Sequence, residues 1–161
     1  MRTEVPFCGD RSGTLAGVNS IRPAAPEDLK PIAVLDSAFT PERRLRLRRL
    51  LTERAGNVLV AVDQDRPGSP VIGYVAVVAS AFFGRDLVDL LVVDVEHRRH
   101  GVGTGLLAAA VGIALTGTVF TSTNESNVAM RSLLEREGWT FSGRLTGLDE
   151  DDPELVFYRR R

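Results

Sequence analysis

From about Val18 onward the chain switches repeatedly between apolar residues at strand spacing and apolar residues at helix spacing. VNSIRP reads as a short strand, and Pro26, Glu27 and Asp28 then place a proline and two carboxylates where a helix start favours them. Leu29, Ile32, Ala33, Leu35 and Phe39 give that helix one buried face. A second helix is predicted over residues 41–55, with Gly56 as its left-handed cap. NVLVAVD and VIGYVAVVASAFF are rich in β-formers and flank the turn RPGSP, the pattern of an antiparallel hairpin. A third long strand covers 87–96, and the glycine-bearing stretch RRHGVGTGLL opens a helix that runs to about Leu115 and stops at Gly117. TVFTST is a strand, 126–137 is a helix closed by Gly138, and WTFSGRL and ELVFYRR are strands around an acidic turn. The order β-α-α-β-β-β-α-β-α-β-β predicts an α/β fold, a mixed sheet flanked by helices, as one domain over 18–161. Residues 1–17 carry Gly, Ser and Thr without periodicity and are expected to be a flexible arm.

Composition narrows this picture. The chain has 161 residues, 43% of them apolar, enough to bury roughly 70% of its unfolded surface in a single core. A net charge of -1 gives no global attraction to nucleic acid or an anionic membrane. The arginine-rich helix PERRLRLRRLLTERAG is therefore read as an ordinary amphipathic helix. The single cysteine, Cys8, can form no internal disulfide and has no nearby histidine to activate it. The longest apolar run, 71–83, is broken by Gly73 and Ser80 and is too short to span a bilayer. No signal peptide is recognisable, so a cytoplasmic location is expected. Two histidines without spaced Cys or carboxylate partners argue against a metal site.

The glycines carry the chemistry. Where a strand passes into a helix, the first backbone N–H groups of the helix lack intrahelical partners and point outward at the positive end of its dipole. Gly101, Gly103 and Gly105 clear side chains from that approach, and Arg98 and Arg99 add charge beside it, so a diphosphate can reach the amides. The spacing fits neither a Walker loop nor the Gly-x-Gly-x-x-Gly of dinucleotide folds. The plainer alternative is that the glycines let the helix pack closely on the sheet.

VVDVEHRRHGVGTGLL resembles the acyl-CoA signature of the GNAT superfamily of N-acetyltransferases, with Arg98, Arg99, His100, Gly101, Val102 and Gly103 in its Arg/Gln-x-x-Gly-x-Gly/Ala frame. IRPAAPEDL and STNESNVAMRSLLEREGW are similar to that family's first strand-helix junction and its Asn-bearing helix ending in Gly-aromatic, so the likeness covers about 19–160. The resemblance implies a GNAT-like acyl-CoA N-acyltransferase fold with acetyl-CoA as co-substrate. Pantetheine would pair with the backbone of a splayed strand at Val93 and Val95, the pyrophosphate would sit on the amides from Arg99 through Thr104, and Asn127 would contact the cofactor. Since that binding is by backbone, the side chains of His100 and Val102 should matter little. Asn127 has an equally good reading as a helix-start residue that satisfies local N–H groups.

The implied reaction is direct attack of a primary amine on the thioester. The backbone N–H of Val95 is the candidate oxyanion donor. Asp89, four residues before Val93 and on the same face of a regular strand, is the candidate base, with a solvated strand-edge acid as its alternative. Glu96 and His97 are read as surface residues. Many family members carry a proton-donating tyrosine seven residues after the asparagine, where this chain has Leu134. The remaining hydroxyls are Ser126, Ser132 and Tyr158, with Tyr158 the candidate acid. The acceptor is a small-molecule or peptide amine, and hints about its charge conflict. The arginine helix favours an acidic acceptor, whereas Asp149, Glu150, Asp151, Asp152 and Glu154 favour a cationic one. No nucleic-acid or membrane partner is expected, and a homodimer is compatible with the reading. Two rivals belong to other classes: a catalytically silent acyl-CoA-binding module, and a nucleic-acid binder using the arginine helix, whose association would fall steeply with salt.

Overall fold

A computed structural model describes residues 19–38, 40–53 and 56–161. The expectations for the arm, for Cys8 and for Phe39 lie outside these residues. One seven-stranded sheet of order β1-β2-β3-β4-β5-β7-β6 contains β1 (Asn19–Pro23), β2 (Gly56–Asp63), β3 (Val71–Phe82), β4 (Arg85–Val93), β5 (Thr118–Asn124), β6 (Thr140–Leu145) and β7 (Glu154–Arg160). All neighbours are antiparallel except β4 and β5, joined in parallel through a crossover helix. The helices are α1 (Leu29–Leu35), α2 (Pro41–Glu53), α3 (Val102–Ile113) and α4 (Val128–Arg136). Gly56 opens β2 opposite Val78 and does not cap a helix, because the pairing with β3 already claims it.

Each face of the sheet has its own core. Ile32 of α1 and Leu47 and Leu50 of α2 cover Val58, Val60, Val62, Tyr74 and Ala76, with Leu90 and Val92 at the edge. On the other face Val102, Leu106, Leu107 and Ala110 of α3 and Leu134 of α4 pack on Ile72, Val75, Val88, Val119, Leu155 and Phe157, with Leu91 and Val93 beside them. The alternation along β2, and along β3 beyond the bulge at Ile72, is therefore apolar on both sides, as a doubly covered sheet requires. Gly73 lets α3 sit directly on β3: a Cβ there would lie 3.1 Å from Leu106 Cδ1 and 3.3 Å from Val102 Cγ1. Val102 is thus a core residue, and its side chain matters for packing. Asp86, 1% exposed, ties the β3–β4 hairpin to the α3–β5 turn by accepting from the N–H groups of Ser80, Leu115 and Thr116. No helix among the described residues is long and apolar enough to cross a membrane.

Candidate active site

β4 and β5 pair only over Asp86–Val88 and Val119–Thr121, and from there the strands part. The Asp94 N–H donates to Ile72 O, which turns the backbone of Val92 and Asp94 toward β3. Alternation then turns the N–H and C=O groups of Leu91 and Val93 into the gap on the β5 side, where they have no sheet partner. Arg98 folds back and donates from Nε to Val93 O at 3.1 Å. The free groups along this edge are consequently the Val93 N–H and both backbone groups of Leu91. Leu91 was not picked out from sequence, although counting back from the glycine stretch with period two would have reached it.

The strand ends sooner than its composition suggests. Residues Val95–His97 form a 3-10 turn capped by Asp94, whose carboxylate accepts from Glu96 N–H. Val95 is therefore not on the splayed edge and does not extend the row of Val93. Its side chain, 69% exposed, instead lines a groove of ≈ 720 Å³ with Pro31, Val34, Pro70 and Arg98, between α1 and the β2–β3 turn.

At the head of α3 the backbone is specialised. Gly101 is the N-cap with φ +83°, and nothing lies within 4 Å of where its Cβ would stand. The first α-helical bond of α3 runs from Gly105 N–H to Gly101 O, leaving the amides of Val102, Gly103 and Thr104 for an external acceptor. Arg99 also adopts a left-handed φ of 63°, uncommon for a residue with a side chain, and both Arg99 and His100 are exposed. The three glycines divide their work: Gly101 makes the turn, whereas Cβ atoms at Gly103 and Gly105 would meet Leu133 Cδ2 at 3.2 Å and Ile21 Cδ1 at 3.1 Å. Close packing, the plainer alternative, thus applies equally at Gly103 and Gly105, each against the end of one side chain. Thr104 Oγ1 donates to Glu137 Oε1, tying the first turn of α3 to the end of α4. Asn127 caps α4 by accepting from Met130 N–H at 3.1 Å.

Asp89 occupies a β-bulge. The β3–β4 register steps from Ala76↔Leu90 to Val77↔Val88, so Asp89 is the extra residue. The bulge cancels the alternation on which a shared face with Val93 depends. Val93 faces α3, whereas Asp89 faces α2 and meets Arg46 Nη2 at 2.7 Å. Its side chain is 9% exposed, which rules out the solvated alternative. Burial pushes the Asp89 carboxyl above the usual aspartate range, and Arg46 and Arg43 pull it part of the way back. Beside it Asp36 accepts both Nη1 contacts of Arg43, at 3.0 and 2.9 Å, and the Tyr74 hydroxyl at 2.6 Å. Arg43 is thus matched by Asp36 on both oxygens, whereas Arg46, with its side chain 53% exposed, meets Asp89 through Nη2.

The hydroxyl candidates do not gather at the gap. Tyr158 pairs with Phe120, at the closed end where β5 still holds β4, and its ring lies 5.9 Å from that of Phe120. Ser126 Oγ donates to Asp152, and Ser132 is exposed on α4. Leu134 is fully buried in the α3–α4 core. Ser122 is the hydroxyl that follows the last paired residue of β5, on the face opposite Val119 and Thr121; the apolar-polar pattern of TVFTST gave no sign of it.

A mixed sheet opened between two parallel central strands, with a glycine-capped helix at the end of the opening, is the acyl-CoA N-acyltransferase fold. The chain belongs to the acetyltransferase (GNAT) family, whose sequence profile matches residues 7–139. An acetyltransferase of the GNAT family from Bacillus cereus ATCC 10987 is 26% identical, with a TM-score of 0.79 over 90% of this chain and 99% of that one. NAA60 of Arabidopsis thaliana, solved with acetyl-CoA and with a bisubstrate analogue, shares the fold at 20% identity, with a TM-score of 0.75 over 89% of this chain and 98% of that one. No curated protein matches the sequence.

Proposed function

We propose that the chain transfers acetyl from acetyl-CoA to a primary amine by direct attack on the thioester. The observation that carries this reading is the unpaired β4 edge, running from Asp89 at the bulge past Leu91 and Val93 toward the free amides of α3. The residues fit the co-substrate. The amides of Val102, Gly103 and Thr104 suit a diphosphate, and the open space at Gly101 admits it. The edge of Leu91 and Val93 suits an amide-bearing arm.

Acetyl-CoA supplies an activated acyl carbonyl. Asp89 takes one proton from the acceptor ammonium, leaving the nitrogen lone pair for attack; the C–N bond forms to give a tetrahedral oxyanion, and as this collapses the C–S bond breaks and the nitrogen's second proton passes through water to the departing thiolate. The N–H of Leu91, in the gap beside Asp89, takes the oxyanion role expected of Val95. None of Ser126, Ser132 and Tyr158 replaces the proton donor that Leu134 lacks, and a thiolate is a tolerable leaving group near neutral pH. Asn127 is assigned to the helix cap first.

The test is calorimetric titration with acetyl-CoA, followed by thiol release across a panel of small amines and peptides. Saturable binding and amine-dependent release are expected, with Asp89→Asn slowing release by about a hundredfold or more. Binding without release for any amine would favour a silent acyl-CoA-binding module, and no binding would refute both readings.

A further inference from the structure

Three aspartates of the α1–α2 face are paired with arginines, and one pair differs from the others. Asp28 is gripped by Arg22 through two nitrogens, at 2.7 and 2.9 Å, and also accepts from Ala25 N–H. Asp36 accepts from Arg43 with both oxygens and from Ala38 N–H and the Tyr74 hydroxyl as well. These two carboxylates have a donor on every oxygen and serve the fold. Asp89 meets Arg46 through Oδ1, at 2.7 Å, and among the described residues Oδ2 has no donor although the side chain is 9% exposed. A buried carboxylate oxygen with no donor is uncommon and signals a missing partner.

We propose that Arg46 of α2 is a positioning residue for acetyl transfer, anchoring Asp89 through Oδ1 so that Oδ2 is presented without a competing donor to the acceptor amine. The inference rests on Asp89 as the proton acceptor. Arg43 and Arg46 stand three residues apart on one face of α2, and Arg43 is locked by Asp36 and Tyr74, so the helix that carries the anchor is itself fixed to the sheet. The charges acting on Asp89 are Arg46 and Arg43 of α2. Asp36 offsets Arg43 from the α1–α2 turn, Tyr74 of β3 stands neutral behind it, and the residues of β5 on this face, Thr118, Phe120, Ser122 and Asn124, are all uncharged. Asp149 of the β6–β7 turn accepts from Asn124, and Glu154 of β7 stands opposite Asn124 on the same face. With Arg46 gone, burial acts on Asp89 with less opposition and the carboxyl holds its proton to higher pH.

The experiment compares the wild type, Arg46→Met and Arg46→Lys. The Asp89 carboxyl is followed by NMR titration with ¹³C-aspartate, assigned with Asp89→Asn, and needs no acceptor. kcat/KM is followed against pH with an amine that the wild type turns over, and acetyl-CoA affinity by calorimetry. In Arg46→Met the titration midpoint and the acidic limb of kcat/KM both move to higher pH, with about a tenfold loss at the acidic end that recovers in base. Acetyl-CoA affinity stays within twofold, and Arg46→Lys restores most of the profile. An unmoved midpoint overturns the anchor even where Asp89→Asn abolishes transfer, which leaves Asp89 as the base. A moved midpoint with an unmoved acidic limb overturns Asp89 as the base, and the role of Arg46 in transfer with it.

Discussion

Replacing Gly101 by alanine isolates the backbone requirement of the proposed anion site. Nothing lies within 4 Å of the added Cβ, so the substitution meets no steric obstacle, yet the residue must hold φ +83° at the cap of α3. A left-handed conformation costs a residue with a Cβ about 1–2 kcal/mol. If the rest of the fold keeps the turn in place, that cost appears as a melting temperature lower by roughly 2–8 °C for a chain of this size. If the turn relaxes, the cost is met on binding, and the Kd for acetyl-CoA rises roughly 5- to 30-fold. Gly105→Ala is the control, because its Cβ meets only the end of the Ile21 side chain, at 3.1 Å, and alanine favours a helix interior by up to about 1 kcal/mol. Its Kd should stay within threefold and its melting temperature should hold or rise. Calorimetric titration and a thermal melt on the two variants read both quantities. Wild-type Kd together with wild-type melting in Gly101→Ala would refute the claim that the site depends on this turn.

Asp86→Ala strands three N–H donors, and thermal melts should show a loss of about 3 kcal/mol or more. Burial alone pushes the Asp86 carboxyl up, but the N–H donors of Ser80, Thr116 and Leu115 outweigh it and hold it below the usual range. Its stabilisation is therefore complete above about pH 4 and is lost as pH falls through the lowered folded value, so the melting gap between wild type and variant should close only in stronger acid. Leu134→Tyr inserts a larger side chain into a fully buried site and should cost about 1–3 kcal/mol in a denaturant titration. If the new hydroxyl reaches the gap, kcat nevertheless rises or holds, and a tenfold fall would show that it does not. Tyr158→Phe, at the closed end of the strands, should change kcat by less than about threefold in the same thiol-release assay; a collapse would put the acid on β7.

Local signals made most of the architecture readable. The periods of apolar residues, the proline and acids before α1, and the glycines after α3 and α4 act within a few residues of themselves, so they mark elements without reference to the rest of the chain. RRHGVGTGLL showed its free amides for the same reason, since they are a property of one turn at a helix start. The register of β4 against β3 is not local. Asp89 turns to α2 because Ala76 and Val77 of another strand pair on either side of it, and strict alternation within LVDLLVVDVE gives the opposite face. The end of β4 at Val93 and the early parting from β5 likewise depend on partners far along the chain, which moved the exposed edge from Val95 to Leu91. The sequence by itself determined the elements, their order and the free amides at the head of α3. Tertiary structure alone decided which carboxylate is buried, which arginine holds it and which amides face the gap, because strand pairing and burial join residues that no spacing along the chain connects.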